Sequence, residues 1–429
     1  MSSLKTLSRR ELWRQIHVSL ALGAGLLFVL LGLTGSLCIY REELDELLNP
    51  KLAIGTPGEQ YQPLDKIMAA VLAAQPGRHD EWVLELPRSP YSMATAWYEK
   101  PHETFGEAYA PLMVSVNPYT AEVVASRFWG RTFATGVDDW HTRLQLGISG
   151  GRIVGLIGIG LLVSVASGLY LWWPGVHGLR QALTIRHRQG WRRLLHDLHG
   201  LLGLSSAAVL LLLAFTGFHL AYPQILETLA GASGMGHGED GPAIRSTAAP
   251  NNRPVSLAEA ALIARGPFPH AEIRRIATPA GTEGTYRVNL RRPGEVNIRH
   301  PVTMVWIDRW SGQIREVRNP NRFTAGQAFV TRLWPWHTGE AFGPLGRLLW
   351  FCAGFTPLLL YVSGLAQWLM RRGIVRDRPV DFSRLRPYGD RTRLQARHLG
   401  QALAALARRV ARWIGRQCRQ LAHWANRQT

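Results

Sequence analysis

Four stretches of the chain, about residues 18–40, 152–173, 201–222 and 345–370, are apolar and almost free of charge. About 20 apolar residues at ~1.5 Å rise cross a hydrocarbon core of ~30 Å, so each predicts a transmembrane helix. Pro357 inside the fourth predicts a kink. Between the first and second stretches the apolar period changes. A helix is expected over 63–74 and strands over 82–86, 94–98 and 112–116. A turn at Asn117-Pro118-Tyr119-Thr120 leads into a return strand over 121–125. The same order returns between the third and fourth stretches. A Gly/Ser/Ala-rich linker over 231–250 precedes a helix over 255–265 and strands over 272–276, 285–290, 303–308 and 313–317, with a matching turn from Asp308 to Gly312.

The expected fold is therefore a membrane α-helical protein with four transmembrane helices in two parallel repeats and two α+β domains on one side. The divisions are 1–40 (N-terminus and first span), 41–150 (first outer domain), 151–173 (second span) and 174–198 (loop). They continue with 199–222 (third span), 223–336 (second outer domain), 337–371 (fourth span with its lead-in) and 372–429 (tail). A parallel repeat implies a pseudo-two-fold axis along the membrane normal.

Charge sets the orientation. The 429 residues carry a net charge of +19, from 49 Lys and Arg against 30 Asp and Glu. Such a balance suits nucleic acid, but the basic clusters at 5–14, 180–193 and 371–427 alternate with the apolar runs, as the positive-inside rule requires. Both termini and the 174–198 loop are expected in the cytoplasm, and the two outer domains across the membrane. The partner is a lipid bilayer, with no nucleic acid. The first span follows a basic region and runs into Tyr40-Arg-Glu-Glu without a small-residue cleavage site, so it is expected to stay uncleaved. The three cysteines, Cys38, Cys352 and Cys418, form no CxxC or CxxCH, which leaves a disulfide framework, a zinc knuckle and covalent haem attachment unsupported. His237 reads as a solvated loop residue.

The candidate chemistry lies in four histidines at repeated spacings. His17 to Thr34-Gly35 and His199 to Thr216-Gly217 both span 17 residues. His141 to Ser167-Gly168 and His337 to Ser363-Gly364 both span 26, with Gly147 and Gly343 six beyond their histidines. A pseudo-two-fold axis brings related residues together, so His17 would face His199 and His141 would face His337. Two imidazoles across an axis suit a six-coordinate haem iron, and b-type haem needs no cysteine. Glycines along the spans would admit the flat macrocycle or close helix packing. The competing reading is a set of hydrogen-bonded interfacial histidines. His196, three residues before His199 on one helix face, is an alternative ligand or a propionate partner. His219 belongs to the outer leaflet, as a ligand, a haem-lining group or a packed core histidine. Arg152 and Arg347, at outer helix ends, suit haem propionates or simple snorkelling.

The motifs HVSLALG…LTG, HTRLQLG…SGLYLWWP, LHDLHGLLG…TG and HTGEAFG…SGLAQWLMRR resemble the PepSY-associated transmembrane helix family of bacterial inner-membrane proteins. The pieces VSLAEAALIA…VTMVWIDRWSGQI are similar to a PepSY domain, which would make the outer segments periplasmic PepSY-like domains. The resemblance covers about residues 10–375. It implies a haem-containing reductase of ferric siderophores; the repeat itself gives two b-type haems per chain, and the electron donor would be a quinol or a cytoplasmic reductase. No Gly-rich dinucleotide fingerprint or flavin domain is evident, so the chain would need such a donor. The alternatives are a non-enzymatic PepSY regulatory or protease-inhibiting membrane protein and an iron or siderophore transporter. The Arg-rich tail 391–427 has the spacing of a basic amphipathic helix suited to an anionic membrane surface.

Overall fold

In the computed structural model, residues 8–186, 190–235, 243–247 and 253–377 are described. His237 and the tail expected as an amphipathic helix lie outside them. The described residues form thirteen α-helices. These are α1 (Arg9–Gly23), α2 (Gly25–Ile39), α3 (Arg41–Leu48), α4 (Leu64–Ala74), α5 (Phe133–Arg143), α6 (Gly147–Trp172) and α7 (Leu179–Ala182). There follow α8 (Trp191–Ala221), α9 (Pro223–Leu229), α10 (Leu257–Arg265), α11 (Ala325–His337), α12 (Gly343–Ala353) and α13 (Thr356–Arg371). Eight strands complete the fold: β1 (Trp82–Glu85), β2 (Ala94–Tyr98), β3 (Leu112–Val116), β4 (Val123–Phe128), β5 (Glu272–Ala277), β6 (Thr285–Arg291), β7 (Thr303–Asp308) and β8 (Ile314–Arg318).

Three helical segments are long and apolar enough to cross a membrane: α6, α8 and Glu340–Arg371, which contains α12 and α13. The pair α1 and α2 passes the same test as one span, bent by 60°. The bend falls at Gly23-Ala24-Gly25, which the apolar pattern did not reveal. Tyr361 on α13 packs against the bend, where a Cβ on Gly25 would lie 2.5 Å from its ring. The break between α12 and α13 falls at Gly354-Phe355, just before Pro357, as a proline kink requires. The two interrupted helices pack backbone to backbone. A Cβ on Gly32 would meet the Gly354 carbonyl at 2.4 Å, and one on Gly354 would meet the Gly32 carbonyl at 2.5 Å.

The strands form one antiparallel sheet in the order β4-β3-β2-β1-β5-β6-β7-β8. The sequence led us to expect two separate outer domains; the two four-stranded halves are instead joined at the β1–β5 edge, where Val83, Leu84 and Glu85 pair with Ala277, Ile276 and Arg275. The Glu85–Arg275 ion pair at 2.9 Å ties the seam from its side chains. Periodicity within one half cannot encode a pairing between halves. One face of the sheet packs on α4 and α10, with Ile67, Val71, Ala260 and Ala264 against Leu84, Val114, Ile276, Val288 and Ile307. Asp65 of α4 accepts hydrogen bonds from the free amides of Leu257 and Ala258 at the start of α10 (2.8 and 3.2 Å), so one helix caps the other. Both halves close on the same turn. Asn117 and Asp308 accept hydrogen bonds from the amides two residues on, at 3.0 and 2.9 Å, and the turns end on positive φ at Ala121 and Gly312. The expected strand over 121–125 begins two residues later, because Ala121 is spent on this turn.

The other face of the sheet looks towards the helix ends, and ion pairs connect the two. Arg88, just after β1, reaches Glu42 of α3 (2.8 Å), and Arg299, between β6 and β7, reaches Glu340 ahead of α12 (3.2 Å), while Arg41 of α3 ties to Asp138 of α5 (2.9 Å) among the helices. Between them lies a cavity of about 1770 Å³.

Candidate functional site: two facing histidine pairs

The helix α5 ends abruptly after His141. Leu144 and Gln145 adopt left-handed φ of 52° and 58°, and Gly147, the first residue of α6, stands at 59°. Non-glycine residues in this region cost about 1 kcal/mol each, so the turn is a strained one. Its close approach requires Gly150, where a Cβ would fall 1.6 Å from the Arg143 carbonyl. The helix α11 ends the same way after His337, with Gly339 and Gly343 at φ of 75° and 65°. The glycine six residues beyond each histidine is thus the hinge that turns the chain from a short surface helix into a membrane-length one.

These turns direct His141 and His337 towards each other beneath the sheet. Their ring centroids are 6.2 Å apart, with planes at 36°. At the far end of the helices His17 on α1 and His199 on α8 face each other with centroids 6.4 Å apart and planes at 88°. The pairing expected from the spacing is the pairing found. The levels are separated by roughly 25 Å, the rise of the 17 residues of α8 from His199 to Thr216, which touches His337.

Each imidazole is held by its Nδ1. That of His17 lies 3.0 Å from the Ser164 carbonyl and 3.1 Å from Ser167 Oγ, and that of His199 lies 2.9 Å from Ser363 Oγ. That of His141 lies 3.0 Å from the Leu31 carbonyl and 3.4 Å from Thr34 Oγ1, and that of His337 lies 2.8 Å from Thr216 Oγ1. The residue after each hydroxyl is glycine, and each glycine supports the same ring. Cβ atoms on Gly35, Gly168, Gly217 and Gly364 would sit 2.8, 3.1, 3.3 and 3.3 Å from Cε1 of His141, His17, His337 and His199. The spacing marked these eight residues in the sequence, the hydroxyls without a role and the glycines as room for a macrocycle or close helix packing. The hydroxyl-glycine pair serves a histidine on another helix, not the one opening its own, and these four glycines make room for imidazoles.

The remaining expected residues are spread more widely. His196 is exposed on α8. His219 is 1% exposed, lines the cavity, and has no hydrogen-bond partner for Nδ1 among the described residues. Arg152 also lines the cavity. Arg347 donates to Glu43 (2.7 Å) and the Ile39 carbonyl (2.6 Å) and stacks 4.5 Å over Tyr40, outside the cavity lining. Of the tryptophans near the outer histidines in sequence, Trp334 lines the cavity against His300, with centroids 5.2 Å apart, whereas Trp140 is 44% exposed and Trp336 packs on Phe329.

The cavity joins the His141–His337 pair to the sheet. Its floor descends to Phe28, Leu31, Leu210 and Pro357, and its roof is the unpacked face of the strands, including Thr95, Trp97, Met113 and Asn289. The alternation of β2 explains the roof: Ala94, Ala96 and Tyr98 are buried in the helix-packed core, and Thr95 and Trp97 point the other way. Around the rim, burial and the neighbouring carboxylates Glu42, Glu43 and Asp45 push the Glu46 carboxyl up to about 7. Glu85 is instead held at about 2, because Arg275 and Arg88 outweigh its burial.

Residues 14–371 match the PepSY-associated TM region, with all four histidines and both halves of the sheet inside the match. The chain belongs to this family. No curated protein matches it. The PepSY-associated assignment carries the membrane character of the chain, and the paired histidines are the part of the fold with chemistry to offer.

Proposed function

We propose that the chain holds two b-type haems, one between His17 and His199 and one between His141 and His337. It would carry electrons across the bacterial inner membrane to a ferric siderophore or similar ferric chelate. The observation that carries this reading is the ring separation. A metal–imidazole bond is about 2 Å and a ring nitrogen lies about 1 Å from the ring centre, so two axial imidazoles on one iron have centroids about 6 Å apart. The two pairs stand at 6.4 and 6.2 Å. Interplanar angles of 88° and 36° are both compatible, since each ring can rotate about its metal–nitrogen axis. Anchored Nδ1 atoms are what metal-bound histidines require, leaving Nε2 to face the partner ring.

Bound haem supplies a one-electron carrier at each of the two levels. The chain's own residues do the rest. The glycine and hydroxyl on the neighbouring helix fix each imidazole in place. Phe28 and Leu31 of α2, Leu210 of α8 and Pro357 of α13 give the space below the upper pair an apolar lining. Arg152 and His219 line the same cavity as the upper pair, where acidic groups of a ligand would need donors. The cavity of about 1770 Å³ exceeds the roughly 300–1000 Å³ of an ordinary ligand site, leaving room for a macrocycle and a chelate together.

The element order supports two parallel repeats with PepSY-like halves. The helices α1–α2, the strands β1–β4, and α5 with α6 correspond to α8, β5–β8, and α11 with α12–α13. The basic clusters support cytoplasmic termini, placing His17 and His199 towards a quinol or a cytoplasmic reductase and His141 and His337 towards the periplasm. A chelate accepting one electron passes from Fe(III) to Fe(II), which oxygen donors hold less strongly. Purified protein made with ample haem should show a Soret band and about two haems per chain by pyridine haemochrome. Dithionite-reduced protein should reoxidise on adding a ferric siderophore, with Fe(II) appearing in a ferrozine trap. A colourless protein overturns the haem assignment, and haem-loaded protein indifferent to every ferric chelate overturns the reductase assignment alone.

A further inference from the structure

Each of the four imidazoles meets a hydroxyl that has already given its proton away. Thr216 Oγ1 donates to the Leu212 carbonyl and Ser363 Oγ to the Leu359 carbonyl, both at 2.7 Å. Thr34 does the same to Leu30 at 2.7 Å, and Ser167 to Ser164 at 2.9 Å. A hydroxyl has one proton and two lone pairs. With the proton spent on the helix backbone, it presents only a lone pair to the ring, so Nδ1 must be the donor. A neutral imidazole has a single N–H, which leaves Nε2 as a bare lone pair.

We propose that Thr216 and Ser363, with Thr34 and Ser167 in support, are positioning residues that lock the facing imidazoles in the Nδ1–H tautomer and set the potential of the metal between them. The lock rests on the haem reading above for its consequence, but not for its geometry. The two members of a pair are held unequally. For His141 and His17 the backbone carbonyls of Leu31 and Ser164, both at 3.0 Å, are nearer than the hydroxyls at 3.4 and 3.1 Å. For His337 and His199 the hydroxyl is the close partner, at 2.8 and 2.9 Å, with the Leu213 and Leu360 carbonyls behind it. Removing a hydroxyl should therefore matter most at Thr216 and Ser363.

A hydrogen bond from Nδ1 makes the imidazole a stronger donor and favours the ferric state. Losing an outer partner of this kind costs about tenfold or more in metal affinity. A tenfold loss confined to Fe(III) is a rise of about 59 mV for a one-electron couple. The test is a spectroelectrochemical titration of haem-loaded wild type, Thr216→Val, Thr216→Ser and Thr34→Val. Thr216→Val should raise the potential of one haem by about that amount and leave the other unmoved. Thr216→Ser should restore the wild-type value, and Thr34→Val should move it less. An unchanged potential in fully loaded Thr216→Val overturns the proposal. So does loss of the haem in both Thr216 variants, which would mark a packing site; loss in Thr216→Val alone, with Thr216→Ser normal, supports it. Nitrogen-15 spectra of histidine-labelled, haem-free protein separate the lock from the haem reading. A single Nδ1–H form in wild type and mixed forms in Thr216→Val are expected. Mixed forms in wild type overturn the lock whatever the haem content.

Discussion

Replacing Gly35 by alanine should separate the stability of the fold from the integrity of the site. Gly35 sits inside α2 with ordinary helical geometry, so alanine gains about 1 kcal/mol of helix propensity. The new Cβ would stand 2.8 Å from Cε1 and 3.2 Å from Nδ1 of His141. Carbon atoms pack at about 3.5–4.0 Å, so the ring must retreat by roughly 0.7–1.2 Å. That retreat weakens the 3.0 Å hydrogen bond to the Leu31 carbonyl, at a cost of about 0.5–1.5 kcal/mol. The two terms nearly cancel, and the unfolding temperature should barely move. The site has no such tolerance. Metal–ligand distances hold to about ±0.2 Å, several times less than the displacement. If the pairs hold haem as proposed, Gly35→Ala should therefore lose the haem at the His141–His337 level, keep the one at the His17–His199 level, and unfold like the wild type. Gly23→Ala, with nothing within 4 Å of its Cβ, is the control. The assay is haem-to-protein ratio and thermal unfolding by circular dichroism in detergent. Two full haems with unaltered spectra in Gly35→Ala would show that the ring is not where the reasoning places it.

Other expectations follow from the same geometry. His17→Ala and His199→Ala should bleach one spectral component and His141→Ala and His337→Ala the other; if His17 and His141 variants lose the same component, the pairing is wrong. Glu46, with its carboxyl pushed up to about 7 chiefly by burial, keeps a proton in the folded chain that the unfolded chain releases nearer pH 4.5. The fold should therefore lose stability as pH rises through that window, and Glu46→Gln should flatten the profile in urea titrations at several pH values. Asp308, with no exposed surface, accepts from the amides of Thr247, Trp310 and Ser311 and pairs with Arg315. Asp308→Ala should cost on the order of 3 kcal/mol, read as a lowered unfolding midpoint; an unchanged midpoint would mean that water replaces the carboxylate at no cost.

The parts of this fold governed by local periodicity were legible in the sequence. The strands β2, β3 and β7 have the expected bounds, β2 from its alternation and β3 and β7 from their apolar runs, and α4 and α10 fall within two residues of their expected bounds. The histidine pairing was legible because a 17- and a 26-residue spacing recur, and recurrence survives without any knowledge of packing. Contacts between distant segments were not. Nothing local to residues 82–85 announces a partner at 275–277, and nothing in Thr34-Gly35 says that it supports His141 rather than the His17 of its own span. The bend at Ala24 escaped for a related reason. Two glycines in an apolar run signal close packing, and only the Tyr361 ring against Gly25 shows which kind.

The seam between β1 and β5 also constrains how the protein is made. The strand β1 leaves the ribosome long before its partner, and two membrane-length helices, α6 and α8, lie between them. At roughly 5–20 residues per second, synthesis of residues 86–271 takes about 10–40 s. During that interval Trp82–Glu85 is an unpaired edge of a half-built sheet, with the backbone donors and acceptors that invite association with another chain. The edge is satisfied only when residues 272–277 arrive beside it, after both intervening helices have found their place. The hazard in biogenesis is thus concentrated in four residues far from any histidine. Substitutions there would act on yield in the membrane, through nascent chains captured before the seam closes.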